Sequence, residues 1–342
     1  MKEIEINRVE ALKSLENAMV AVDVNRRLMQ SDTFVFYKGN LITFNGEMRT
    51  IQTSPFGEEF EGSILALDLL AVFKKFPDEK LKISEKEGEL VVCGEERQAG
   101  VKTNQEILLP FKTVPKAKKY KTISPNLIEE MLQASLICRR DDQHWELTCV
   151  HVDAHFVEGC DGCRYFRSEF DTGLETPILI QAALVKKFAK FDISEIDTSS
   201  DGWVHFSTGY GFEVSVIMNK SEYFKRSDLD NFLEMPDGKE VYMPQNLDEI
   251  LSRAEIMSET ENASVDISVT QGEVSVFSQK KYGWFKEMEK VKYEGPAFSF
   301  SVNPTFLRNM LKKTNKLILN ETRAKVKIGG VYFITALICK RK

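Results

Sequence analysis

Leu65 to Phe76 reads LALDLLAVFKKF, and the same arrangement returns in Ala182–Phe191 (AALVKKFAKF) and Pro304–Lys313 (PTFLRNMLKK). Leu69 aligns with Leu184 and Leu307, Phe73 with Phe188 and Leu311, and Lys75 with Lys190 and Lys313. Each apolar set recurs at i and i+4, the spacing of one helix face. A second helical pattern precedes each copy: Ala11, Leu15 and Ala18 align with Ile128, Leu132 and Ser135, then with Leu247, Leu251 and Ala254. The separations from first helix to second (15 to 69, 132 to 184, 251 to 307) agree to within four residues. Three copies of one two-helix spacing identify an internal repeat of roughly 115 residues, the signal to seek before any motif.

Short runs rich in β-branched and aromatic residues surround the helices. Lys80–Ile83 and Glu89–Cys93 flank Glu87-Gly88, Trp203–Ser207 and Phe212–Ile217 flank Tyr210-Gly211, and Leu317–Leu319 and Ala324–Ile328 flank Glu321-Thr322. Thr33–Tyr37 and Leu41–Asn45 follow the first helix in the same manner. These are antiparallel hairpin signals. Two helices per unit are too few for parallel crossovers, so the expected class is α+β with antiparallel sheets. Polar joins near Pro115–Lys119 and between Asp228 and Glu240 divide the chain into units 1–118, 119–238 and 239–342.

Composition narrows the function. The 342 residues are 42% apolar and 29% charged, the balance of an ordinary globular protein. No apolar run approaches the ~18 residues of a membrane span. The N-terminus lacks an apolar signal region, and six cysteines are too sparse for a disulfide scaffold, so a reducing, cytoplasmic setting is expected. The net charge of −6 argues against a surface that coats nucleic acid indiscriminately. Basic residues nevertheless gather at the helix ends: Lys74, Lys75, Arg139, Arg140, Lys186, Lys190, Arg308, Lys312 and Lys313. Helix-dipole complementarity explains any one of them. Their repetition in three units of an acidic chain points to a shared positive surface facing a phosphate backbone.

With these repeats the chain resembles the bacterial β sliding clamps, processivity factors of replicative DNA polymerase, over its whole length. Cys160-Asp161-Gly162-Cys163-Arg164-Tyr165 is similar to the family's Thr-Asp-Gly-His-Arg-Leu. Arg253-Ala254-Glu255-Ile256-Met257-Ser258 is similar to the start of the family's third domain, and Phe212–Asp228, with Tyr223-Phe224, to its approach to the interdomain linker. The resemblance implies a head-to-tail homodimer, a ring of six units lined by helices around duplex DNA. It implies sequence-independent contacts from the basic residues above, together with Arg26 and Arg27, and a dimer interface at Ile256 and Met257. It places a partner-peptide pocket for polymerase and clamp loader between the second and third domains, lined by Gly162, Arg164, Tyr165, Phe224, Ile334, Leu337 and Ile338. Neither a cofactor nor enzymatic activity is expected. Departures fall at that pocket: the family's Thr and His become Cys160 and Cys163, and its terminal Met-Pro-Met-Arg becomes Thr335-Ala336-Leu337-Ile338. Such a divergent clamp, of a kind a virus could encode, would take partners with a different motif.

The competing reading is a zinc-dependent nucleic-acid enzyme built on Cys149, His151, His155, Cys160 and Cys163, whose C-x-x-C has zinc-knuckle spacing. Against it, Val150 and Val152 alternate with Cys149 and His151, as a half-buried strand requires without any metal. No phosphate-binding loop, nucleophile elbow or metalloprotease motif occurs. Asp192, Glu195, Asp197 and Asp201 read as a solvated acidic loop, since EF-hand spacing fails. Trp203 and Phe206 read as strand or core residues. A repeat-built adaptor with no role on DNA is the third possibility.

Overall fold

Asn7 opens the first helix by accepting the N–H groups of Val9 and Glu10 at 2.9 and 3.1 Å, filling two of the donors a helix start leaves open. Asn303 does the same for the last helix through Thr305 and Phe306, with Pro304 preset for the first helical position. The computed structural model describes residues 2–140, 143–258 and 263–337. Its helices are α1 (Arg8–Ala18), α2 (Ala66–Lys75), α3 (Leu127–Ile137), α4 (Ala182–Phe188), α5 (Arg226–Leu233), α6 (Leu247–Glu255) and α7 (Pro304–Leu311). Among the described residues the order strand, helix, four strands, helix, three strands occurs three times, with α5 between the second and third rounds. Among the described residues the strand pairings whose register is established are antiparallel, and the α+β class is as expected. No described helix is long and apolar enough to cross a membrane.

By contacts the chain forms two compact units, residues 1–132 with 172–221, and residues 133–171 with 222–342. The first holds a twelve-stranded sheet. α1 and α2 bury Ala11, Leu15, Leu69 and Phe73 against Phe34, Phe36, Phe56 and Phe60 of that unit. The hairpin of Lys80–Lys86 and Glu89–Cys93 closes through Glu87 and Gly88, whose φ of 51° and 79° match the right-handed twist of its strands. Met48–Thr53 bonds across a long sequence separation to Glu213–Ile217, with Arg49 opposite Ser215. Strands of the first and second rounds thereby share one continuous sheet.

In the second unit Cys149–Asp153, Phe156–Cys160, Arg164–Glu169, Val331–Ala336, Arg323–Ile328, Lys316–Leu319 and Lys239–Tyr242 pair in that order. A separate sheet runs Gly283–Lys290, Glu273–Lys280, Val265–Thr270, Phe298–Val302. α6 and α7 are tied by Arg308, which reaches Asp248 at 2.8 Å and Glu255 at 3.1 Å.

Two expectations are corrected. The stretch from Asp228 to Glu240, read as a polar, turn-rich join, contains most of α5 and the first two residues of the strand Lys239–Tyr242. Leu229, Phe232 and Leu233 supply a helical i, i+3, i+4 stripe that its polar neighbours obscure. The acidic run is a solvated loop only in part, with Asp192 and Asp201 exposed outside any strand. Glu195–Ser200 is a strand, and Asp197, only 2% exposed, accepts backbone N–H groups of Lys118, Lys119 and Ser199. Burial pushes its carboxyl up, but those donors outweigh burial and hold it at about 2.

Candidate nucleic-acid and partner interface

The second helices bury one face and expose the basic one. α2 buries Ala66, Leu69, Leu70 and Phe73, and α4 buries Ala182, Leu184, Val185 and Phe188. What remains outside includes Lys75, Lys186 and Lys190, and, beyond α7, Lys312 and Lys313. Arg140 is likewise exposed. Several expected phosphate contacts are engaged within the chain. Lys74 lies 3.1 Å from Glu16, Arg26 2.7 Å from Asp32, and Arg27 3.6 Å from Asp23. Arg139 donates through Nε to the Asp161 carbonyl at 2.7 Å. Arg308, held between two carboxylates, presents little net charge. Lys75, Lys190, Lys312 and Lys313 place exposed positive charge at these helix ends.

The residues expected to line a peptide pocket divide into three groups. Tyr165, Phe224 and Ile334 come together in one apolar cluster, joined by Leu147, Cys160, Leu229 and Leu233. Tyr165 and Ile334 are 1% and 2% exposed because the leucines of α5 belong to the same cluster. Arg164 faces elsewhere: it pairs with Asp161 at 2.8 Å, donates to the Ile137 carbonyl at 3.1 Å and lies 3.6 Å over the Phe306 ring. Gly162 takes φ +86° in the turn before Arg164, next to Arg139, and Leu337 is buried. Ile338 lies outside the described residues.

Beneath the cluster is a buried charge network that sequence reasoning missed. Glu158, fully buried, receives Arg167 at 2.8 Å, the Tyr165 hydroxyl, and His151 Nδ1 at 2.7 Å. Burial pushes the Glu158 carboxyl up, but His151 and Arg167 overcome it and hold the group below the usual carboxylate range. Arg167 also meets Asp230 of α5 at 3.1 Å, and Arg226 stacks 4.3 Å over Phe156. Its only sequence signal is the alternation of Glu158 and Cys160, or Tyr165 and Arg167, along strands, which does not reveal pairing across the sheet.

Another such network lies in the first unit. Arg49 reaches Glu213 at 2.8 Å, Ser215 at 3.0 Å and the Val114 carbonyl at 2.9 Å. His205 contacts Ser215 at 2.8 Å, and Tyr120 donates to Glu213 at 2.6 Å. Among the described residues Arg49 Nε and His205 Nε2 find no hydrogen-bond partner.

The zinc reading finds no support in the placement of its residues. Among the described residues no group of three or more His, Cys, Asp or Glu side chains is placed to hold a metal ion. Cys149 is fully buried, Cys160 contacts the Tyr223 hydroxyl at 3.6 Å, Cys163 is exposed, and His151 is committed to Glu158. Burial raises the Cys149 thiol and pushes the Cys160 thiol up to about 11. Trp203 packs on Phe44, and Phe206 stacks on Phe188 at 4.5 Å.

The threefold element order, the helix pairs and the antiparallel sheets are those of the DNA sliding-clamp fold. Among solved structures, the chain is similar to the DNA polymerase III beta chain of Streptococcus pneumoniae, with a TM-score of 0.85 at 17% identity over 99% of this chain and 100% of that one. It is also similar to the DNA polymerase III beta subunit of Thermotoga maritima (0.81, 18%, 99% and 100%) and the DNA polymerase sliding clamp of Bacillus subtilis (0.83, 13%, 99% and 99%). No protein-family model matches the sequence, and no curated protein matches it.

Proposed function

We propose that two copies of this chain close into a ring that encircles duplex DNA and tethers a replicative polymerase, a sliding clamp with no chemistry of its own. The observation that carries the reading is the end-to-end likeness to sliding clamps, nearly the full length of both chains matching at TM-scores of 0.80 to 0.85. On this reading residues 1–118, 119–238 and 239–342 are three clamp domains and the protein works in a reducing cytoplasm. The exposed lysines Lys75, Lys186, Lys190, Lys312 and Lys313 touch phosphates without reading bases, because contacts that fix a sequence would stop a clamp from sliding. A clamp loader and a polymerase are its protein partners.

Closure needs a second copy, and a closed cyclic dimer meets that need. Ile256, 66% exposed at the end of α6, and Trp284 and Met288 on the edge strand Gly283–Lys290 offer apolar surface of the kind an interface covers. Protein loaded on a nicked circular plasmid should stay bound through gel filtration and leave once the plasmid is linearised. Equal retention on both forms would refute the ring. Replacing Ile256 and Met257 together by Lys should halve the solution mass and abolish retention, because charges buried without partners are costly. An unchanged mass would remove these two residues from the interface.

A further inference from the structure

α5 is eight residues long, too short to be helical in water alone, so its shape comes from what it lies on. Leu229 and Leu233, one turn apart, are buried against Tyr165, Ile334, Cys160 and Leu147. Asp230 accepts from Arg167 at 3.1 Å, and Lys325 donates to the Leu233 carbonyl at 2.6 Å, satisfying an end that a helix leaves open. Ser227, Asp228 and Asn231 face solvent. The strands beneath, Phe156–Cys160, Arg164–Glu169 and Val331–Ala336, bond to one another without using α5. Beside its first turn an open cleft of about 530 Å³, lined by Phe224, Arg226, Leu229, Phe156 and His151, leaves the groove accessible from one side. α5 thus sits as a helix sits in a recognition groove, two anchors one turn apart and an acid between them, except that the ligand belongs to the same chain.

We propose that α5 is a displaceable built-in ligand. The groove beneath it takes a partner segment that presents two aliphatic side chains one helical turn apart with a carboxylate aimed at Arg167, and α5 yields to it. The idea rests on the reading that this protein acts by recruiting partners. A tethered competitor works at an effective concentration on the order of millimolar, so α5 sets a threshold that single-anchor peptides fail to cross.

The test uses a fluorescein-labelled synthetic peptide of residues 224–236 and the full-length protein, either unaltered or carrying Leu229→Ser and Leu233→Ser. The peptide should bind the altered protein at least about tenfold more tightly than the unaltered one. A peptide carrying the same two serines should bind neither. Equal binding to both proteins, or none to a variant whose circular dichroism and melting are intact, would overturn the proposal. So would a variant that fails to fold, because α5 would then be part of the core. Hydrogen exchange on the unaltered protein needs no variant: amides of 227–233 should exchange about a hundredfold faster than those of 164–169 and 331–336. Equal protection would show that α5 does not leave. Neither readout uses DNA or polymerase, so a failed ring test and a failed groove test are separate results.

Discussion

Both units bury an arginine against a glutamate inside a sheet, yet they complete the pair differently. Arg49 and Glu213 join strands far apart in sequence, with Glu213 still 23% exposed, and among the described residues Arg49 Nε and His205 Nε2 go unpaired. Arg167 and Glu158 sit on neighbouring strands, 1% and 0% exposed, and Glu158 gathers His151 and Tyr165 as well. A buried ion pair gains little over apolar packing, but losing one partner is expensive in proportion to how dry the survivor is left. The first pair therefore serves to fix a joint between rounds of the fold, with water in reach of its acid. The second can tolerate no loss, and through Asp230 it also sets the seat of α5.

The largest effect should come from Arg167→Met, which leaves the dry Glu158 with only His151 and Tyr165 to offset its charge and should cost about 3–5 kcal/mol. Arg49→Met leaves an acid that solvent and Tyr120 still reach, and should cost about 1–3 kcal/mol. Urea unfolding of both variants checks the order, and a costlier Arg49 change would invert the comparison. A smaller, pH-bound effect is expected at Asp197. Its folded carboxyl titrates at about 2, below the roughly 3.9 of an unfolded chain, so the stability it provides is full above about pH 4 and fades as pH falls toward 2. Asp197→Asn should cost about 1–3 kcal/mol at neutral pH, because an amide cannot accept all those N–H groups, and the deficit should shrink across that acid window. Melting curves at pH 7, 4 and 2.5 test this, and a deficit constant with pH would exclude the carboxylate as its source.

Much of the fold is legible in the sequence because helix faces announce themselves locally. Of the repeat's six leucine anchors, Leu15, Leu69, Leu184, Leu251 and Leu307 are buried, whereas Leu132 is half-buried next to the fully buried Met131. α5 escaped because its three apolar residues lie among charges, and an eight-residue helix has little room to show a period. The charge networks escaped because their partners are set by strand register: nothing near Arg49 in the sequence points to Glu213. The ring of Phe306, far along the chain, lies beneath the Arg164 guanidinium, a contact that no sequence neighbour of Arg164 announces. The Cys/His spacing suggested a metal, whereas burial of two of the thiols depends on packing that spacing does not encode.

The connector after the first round looks like a site for trypsin, with lysines at 116, 118 and 119 among polar neighbours. Yet the Val114 carbonyl is held by Arg49, the Lys116 carbonyl accepts from Ser200, and the Lys119 amide is held by Asp197. A protease must draw several residues into an extended strand, and this segment has no slack to lend unless the shared sheet opens first. Its cleavage rate is thus a gauge of how often Met48–Thr53 and Glu213–Ile217 come apart.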